Sequence, residues 1–228
     1  MNDVIYLPLP RIRKNLLSVE EAFAYRRSIR NYRNEPLTIE QLSQLLWTTY
    51  GISHPGKELK TSPSAGATYP LNVYVVVKTN GVKLENGKYL EPGIYKYDWR
   101  KHALVNVKKG DYSKELSRAC LDQSWVFNAP VNIVLTAVFE RTTMYYGERG
   151  VRYVYIDTGH AGQNIYLEAT ALGLGTVAVG AFIDDEVSRV IGLEPGEKPV
   201  YVFPVGVPVK TYIVKEEDIH EYINRFRK

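Results

Sequence analysis

Cysteine is nearly absent: Cys120 is the single one in 228 residues, so no intrachain disulfide forms, and a lone thiol makes no metal knot. It falls on an apolar stripe with Leu116 and Ala119 and is expected to pack in the core. Long apolar runs are missing too. No stretch approaches the roughly 18 residues that a spanning helix needs, and the first residues, MNDVIYLPLPRIRKNL, hold no apolar segment followed by a small-residue cleavage site. The expectation is a cytoplasmic protein with no membrane segment. No repeat, low-complexity tract or Pro/Ser-rich linker divides the chain. A charge of one sign is lacking as well: 29 Lys and Arg against 25 Asp and Glu leave +4, too mild to imply nucleic acid. With 45% hydrophobic and 24% charged residues, disorder, collagen-like repeats and a coiled coil are excluded. One domain over 1–228 is the simplest organisation.

What the sequence does supply is patterning. Ser18-Val-Glu-Glu21 and Thr38-Ile-Glu-Gln41 read as capping boxes, in which the hydroxyl accepts from an early helical N–H while the acid or amide reaches back. The first predicts a helix to about Tyr32, on the spacing of Val19, Ala22, Phe23 and Ile29. The second predicts a helix on Ile39, Leu42, Leu45, Leu46 and Thr49, ended by Gly51 in the left-handed conformation. His54 to Pro70, rich in Pro, Gly, Ser and Thr, is predicted as a long loop, and such loops usually carry function. Strands are predicted over Asn72–Lys78, Gly93–Trp99 and Ala103–Val107, with turns at Thr79-Asn-Gly81 and Glu85-Asn-Gly87. A helix from about Ser113 to Leu121 precedes Val131–Val138, whose near-continuous apolar character suits the centre of a sheet. A long helix from about Gly150 to Leu172 follows, its Gly159 and Gly162 tolerable where another backbone comes close. Next come a strand at Thr176–Val179, a helix Asp184–Ile191 capped by Asp184, and a strand at Val200–Val207. The last element, about Lys215 to Phe226, reads as an amphipathic helix with Ile219, Tyr222, Ile223 and Phe226 on one face, which needs its own core or a second subunit to cover it. The sum is an α+β domain, helices around a central mixed sheet.

Charge is concentrated locally. Arg11, Arg13, Lys14, Arg26, Arg27, Arg30 and Arg33 stand against only Glu20 and Glu21 over that stretch, an excess suited to an anionic partner. Within it lies Arg26-Arg-Ser-Ile-Arg30, followed along the chain by SPSAGATYP (Ser62–Pro70), YIDTGHAGQN (Tyr155–Asn164) and GLGTVAVGAF (Gly173–Phe182). Taken together these segments resemble the nitroreductase superfamily, and within it the SagB-type (thiazole/oxazole) dehydrogenase branch. The resemblance implies a nitroreductase-like α+β fold: a central, mostly antiparallel mixed sheet flanked by helices, with a core over about 18–210 and a C-terminal helix over about 215–226. It also implies FMN and a homodimer with two sites at the subunit interface, each built from both chains. Arg26 and Ser28, with Arg27 between them, match the phosphate and ribityl contacts, and Arg30 matches a cation beside the N1/C2 edge of the flavin. Pro63, Ser64, Ala65, Gly66 and Ala67 match the loop along the ring; many relatives carry Asn where Ala67 stands, so backbone atoms must serve here. Gly180 and Ala181 match the turn whose N–H faces N5, and Lys210 matches a second cation for the phosphate. The chemistry agrees with these roles, since a guanidinium fork suits a phosphate and a cation at N1/C2 stabilises the anionic reduced flavin.

The implied activity is that of an FMN-dependent oxidoreductase moving hydride through flavin N5 in two half-reactions. NADH or NADPH would be the donor, bound transiently because no GxGxxG fingerprint is present, and a nitroaromatic or quinone-type small molecule the acceptor. The branch suggests an alternative, SagB-like oxidation of a heterocycle on a peptide; a third reading is a non-catalytic flavin-binding scaffold protein. Met144-Tyr-Tyr-Gly-Glu-Arg149 resembles the stretch where peptide-oxidising members carry a Lys-Tyr pair before the Gly. Tyr146 fits and is a candidate catalytic residue, but Tyr145 stands where the Lys is expected. A partly desolvated lysine can be tuned toward neutral pH as a base, whereas a phenol, ionising at about 10, is a poor one at pH 7. The expectation is therefore against standard azoline dehydrogenation. Asp157 and His160 are expected in hydrogen-bonded packing near the dimer interface, not on a metal, because His54, His102 and His220 show no ligand spacing. A nucleic-acid-binding reading, with Phe23, Tyr25 and Tyr32 as stacking groups, leaves the later segments unexplained.

Overall fold

The apolar run at 131–138 is the spine of a seven-stranded sheet. The computed structural model describes residues 3–14 and 16–227. Its first half contains β1 (Val4–Tyr6), α1 (Val19–Tyr25), β2 (Leu37–Thr38), α2 (Ile39–Tyr50), β3 (Ile52–His54), β4 (Leu59–Lys60), β5 (Leu71–Val77), β6 (Val82–Lys83), β7 (Gly93–Asp98) and β8 (Ala103–Lys109). Its second half contains α3 (Ser113–Ala119), α4 (Ser124–Asn128), β9 (Val131–Val138), α5 (Glu140–Tyr146), α6 (Arg149–Ala171), β10 (Gly175–Thr176), α7 (Asp184–Ile191), β11 (Glu197–Gly206) and α8 (Glu216–Asn224).

The sheet runs β1-β8-β7-β5-β9-β11-β10, with every pair of named strands antiparallel. Successive side chains of a strand point to opposite faces, and the core splits accordingly. Val73, Val75, Ile133 and Leu135 pack in one layer with Leu42 and Leu46 of α2 and Val154, Ala161 and Ile165 of α6. Tyr74, Val76 and Val134 pack in the other with Leu116, Cys120, Val126, Val187 and Ile191. Cys120 is fully buried there, as expected, and burial pushes its thiol up to about 12. Among the described residues no helix is long and apolar enough to cross a membrane.

Several local expectations are corrected. Helix α1 keeps its capping box but stops at Tyr25, not Tyr32, because Ser28 bridges to Thr176 and the Ile29 N–H donates to the Thr176 carbonyl at 2.8 Å. The arginine segment is thus an extended edge of the sheet. Gly51 ends α2 with φ −80°, not left-handed; a Cβ there would lie 2.5 Å from the Trp47 ring, so space is the reason for glycine. Gly162 likewise faces the Phe203 ring, 2.8 Å from an added Cβ, and not a backbone. Asp184 is the first helical residue, and Ile183 the cap. The 54–70 loop is partly built, since β3 and β4 pair at its start.

His102, at the β7–β8 turn, ties the N-terminal segment to this frame. Its Nδ1 meets the Tyr97 hydroxyl at 2.8 Å, and its Nε2 meets the Ser43 hydroxyl at 2.7 Å and the Pro8 carbonyl at 3.0 Å. Burial holds its pKa below the ordinary 6.5, opposed in part by the Pro8 carbonyl. The unfolded chain therefore takes up a proton that the folded chain resists, and stability falls as pH drops below about 6.5. His102→Asn, which tolerates the left-handed φ of 46°, is expected to lower stability at pH 7.5 but to lose less than the native chain between pH 7 and 5 in urea titrations. Equal losses would show that His102 does not carry this dependence.

Candidate active site

Two of the segments singled out in the sequence hang from α6. The first is Arg26–Arg30. The Ser28 hydroxyl lies 3.0 Å from the Tyr166 hydroxyl, which also accepts the Ala178 N–H at 2.8 Å. The Arg26 guanidinium lies 5.2 Å from the centre of the Tyr166 ring, and that of Arg30 lies 5.5 Å from the centre of the Trp125 ring. Among the described residues none of Arg26, Arg27 and Arg30 is in an ion pair, whereas Arg33 meets Glu35. Arg27 differs from its neighbours: it folds back onto the Ala24 and Arg26 carbonyls at 2.9 and 2.7 Å. With Lys210 it lines a mostly apolar cavity of about 240 Å³.

The second segment is the loop Ser62–Pro70. The Ser64 hydroxyl donates to Asp157 at 2.7 Å, the Ala65 N–H points to the same carboxylate at 3.3 Å, and the Tyr69 N–H returns to Ser64 at 3.0 Å. Asn164 secures the start of the loop through Ser62 and the Thr48 carbonyl, both at 2.9 Å. Burial pushes the Asp157 carboxyl above the usual range, against the stabilising bonds from Ser64 and Ala65. Gly66, Ala67 and Tyr69 all have positive φ, so the loop turns tightly and needs that anchor. Gly66 has a second reason to be glycine, because an added Cβ would meet the Tyr146 hydroxyl at 2.5 Å. Tyr146 is thereby brought onto the loop. Its neighbour Tyr145 is 78% exposed, and Pro63 is exposed as well.

Nine residues separate Asp157 from Tyr166, about 14 Å along the helix and roughly half a turn apart in angle. Asn164, seven residues from Asp157, shares its face. One chain therefore hangs the loop and the arginine segment on opposite faces of α6. The turn Gly180–Ala181 is exposed beyond the Val179–Val202 bridge, and the Ala181 carbonyl accepts from Gln123 at 2.8 Å.

Sequence reasoning missed Trp125, Gln123 and Tyr166, and it did not see that Asp157 holds the loop. No local pattern marks them, since their partners lie about 60 to 140 positions away. His160, one turn on from Asp157 along α6, is exposed and makes no side-chain hydrogen bond among the described residues, so the hydrogen-bonded packing expected of it is not seen within the chain; no group of three metal-binding side chains occurs among those residues either.

The Nitroreductase family model matches residues 23–207, spanning the arginine segment, the loop, α6 and the Gly180 turn. The chain belongs to the Nitroreductase family. A Methanocaldococcus jannaschii protein that carries the nitroreductase name is 42% identical over 207 residues, covering 90% of this chain and 98% of its own. The Microcin B17-processing protein McbC of Escherichia coli is 26% identical over 162 residues, 69% of this chain and 57% of that one. Among solved structures, a Ralstonia eutropha crystal structure bearing the nitroreductase name superposes with a TM-score of 0.76 at 25% identity, over 91% of this chain and 90% of that one. A chain of the E. coli microcin synthetase McbBCD complex shares the fold, with a TM-score of 0.67 at 22% identity over 88% and 77%. The nitroreductase-like fold expected from the sequence is the fold observed. Lys210 and α8 lie outside the matched span.

In this nitroreductase-family chain the loop should depend on its one carboxylate. Asp157→Asn weakens two charge-assisted bonds and is expected to cost about 1–3 kcal/mol. Amide exchange at Ala65–Tyr69 should rise more than at β9. Unchanged exchange in the loop would contradict the anchor.

Proposed function

We propose that this nitroreductase-family oxidoreductase uses FMN, held between two copies of the chain, to pass reducing equivalents from NADH or NADPH to a nitroaromatic or quinone-type acceptor. The observation that carries the reading is the pair of unpaired guanidinium groups on an exposed sheet edge, Arg26 and Arg30, beside a buried indole N–H at Trp125 that has no partner among the described residues. Cations without carboxylates and an orphaned donor are what a bound anion with polar ring edges would satisfy. The room at Gly180, where an added Cβ meets nothing nearer than the Tyr201 ring at 3.4 Å, also fits a flat ring approaching the backbone.

When bound, FMN would supply two-electron chemistry, taking hydride from one substrate and giving it to the next. The protein's own share is placement. Arg26 would take the phosphate in a bidentate fork, with Ser28 on the ribityl chain. Arg30 would set positive charge at the N1/C2 edge, with Trp125 excluding water behind it. The backbone at Gly180 and Ala181 would offer an N–H at N5. Pro63 to Ala67 of the second chain would lie along the ring, and Tyr146 would offer its hydroxyl to substrate.

The same geometry supports the homodimer, because the two segments occupy opposite faces of α6 and a second chain would bring one of each together. Apolar side chains support it: Val151, Tyr155 and Ile156 on α6 and Ile219, Tyr222, Ile223 and Phe226 at the C-terminus are all exposed in the single chain. The similarity to McbC raises a second reading, dehydrogenation of a heterocycle on a peptide. Tyr145 speaks against it, since a phenol in open solvent supplies no desolvated base for removing a proton from carbon.

The purified protein is expected to be a yellow dimer with about one FMN per chain that bleaches anaerobically with NADH or NADPH. Arg26→Ala should weaken FMN by roughly 10- to 100-fold. A colourless native protein, or full flavin content in the variant, would overturn the reading. Thiazoline- or oxazoline-bearing peptides offered in air should be oxidised poorly, and better by Tyr145→Lys, as judged by the two-dalton mass loss. Efficient conversion by the native chain, with no gain in the variant, would restore the dehydrogenase reading.

A further inference from the structure

A second cavity, of about 700 Å³, lies between the β4 end of the loop, α5 and the β7–β8 turn. Lys60 opens into it. This side chain is only 8% exposed, and its ammonium sits 3.8, 4.4 and 5.1 Å from the ring centres of Tyr50, Trp99 and Tyr69. The rings are fixed: the Tyr50 hydroxyl accepts the Leu71 N–H at 3.2 Å, and the Tyr69 hydroxyl accepts the Lys60 N–H at 3.1 Å. The Lys60 ammonium itself has no hydrogen-bond acceptor among the described residues.

The surrounding charge is positive and only partly balanced. Glu58 is engaged by Arg100 at 2.9 Å, Asp98 by Lys101 at 3.8 Å, and Lys96 by the buried Glu197 at 3.7 Å. Lys60, Lys57 and Arg141 have no carboxylate partner among the described residues; Arg141 makes only long contacts, 3.3 and 3.4 Å, to the Tyr69 carbonyl and Asn72. A methionine would fill an aromatic cage without the cost of burying a charge. A lysine here makes sense if something anionic enters the cavity.

We propose that this cavity binds a carboxylate carried on a flat apolar body, with Lys60 and Arg141 taking the carboxylate and Trp99 and Tyr69 the body. The cavity shares Ala67 with the proposed flavin loop and is otherwise lined by residues to which the flavin reading gives no role. Burial, with Arg141 and Arg100 nearby, brings the Lys60 amine down to about 7. The other charged groups around it are Lys57, Glu58, Lys96 and Asp98, and the phenols are Tyr50, Tyr69 and Tyr97. An incoming carboxylate favours the ammonium form, so at pH 8 binding draws a proton from solvent. Affinity is greatest below about pH 7 and falls by up to tenfold per unit above it.

The test is calorimetric titration of the whole protein with 2-naphthoate and with neutral 2-naphthamide. Naphthoate should bind at least about tenfold more tightly than the amide, and Lys60→Met and Arg141→Gln should each weaken it by about tenfold or more. At pH 8 its enthalpy should differ between Tris and HEPES for the native chain, reporting proton uptake, and not for Lys60→Met. Arg26→Ala should bind naphthoate normally, which separates this site from the flavin site. Equal binding of acid and amide, no binding of naphthoate at millimolar concentration, or loss of binding in Arg26→Ala would overturn the proposal. Should Lys60→Met fail to fold, the acid–amide comparison on the native chain and Arg141→Gln decide it.

Discussion

The hydrogen bonds from the Ser64 hydroxyl and the Ala65 amide to the buried carboxylate of Asp157 are the constraint on which the geometry of the candidate site rests. A loop with three residues at positive φ is costly to hold in one shape, and two of those three are not glycine. A charged acceptor on a rigid helix offsets that cost, because charge-assisted bonds exceed neutral ones in strength. The same helix, about two and a half turns further on, presents Tyr166 to Ser28 and to the Ala178 amide. One 23-residue element thus sets the positions of both candidate segments, and it sets them on opposite sides of itself.

Rigidity comes from the sheet beneath. Strand β9 is buried along nearly its whole length and pairs on both sides, with β5 and β11. Where its apolar run is interrupted by Thr136, the hydroxyl meets Glu197, which also accepts from Asn72 at 2.9 Å and Tyr74 at 3.2 Å. That acid is nearly buried but supplied with donors, so it adds a fixed register without an orphaned charge. The Gly180 turn and the arginine segment both leave from the β10–β11 edge of this frame.

Much of this was legible where the signal is local. Both capping boxes form as their sequences specify, and Val131–Val138 is a strand with those bounds. The four motif segments announced the family because each keeps its own short pattern. Signals between distant residues were not legible. The helix after Ser18 reads as longer than it is because Ile29 continues the apolar spacing, yet Ile29 is spent on packing over Gly175. Asp157 gives no hint in its own neighbourhood that its partners sit more than ninety positions earlier. Trp125 belongs to a five-residue helix too short to show a period, and Lys60 is unremarkable until three rings close around it.

In the proposed dimer a complete site takes Arg26 from one chain and the Ser64–Ala67 loop from another, because α6 keeps them apart within each. Mixing two damaged chains tests it directly: one carrying Arg26→Ala, the other carrying Ala67→Glu, an exposed loop position where a carboxylate would repel an anionic ring edge. Each variant alone should bind little FMN. The mixed dimer should regain one flavin per two chains, since one of its two sites then receives an intact Arg26 and an intact loop. Flavin content in the mixture no higher than in the separate variants would contradict the account and place both segments of the site within a single chain.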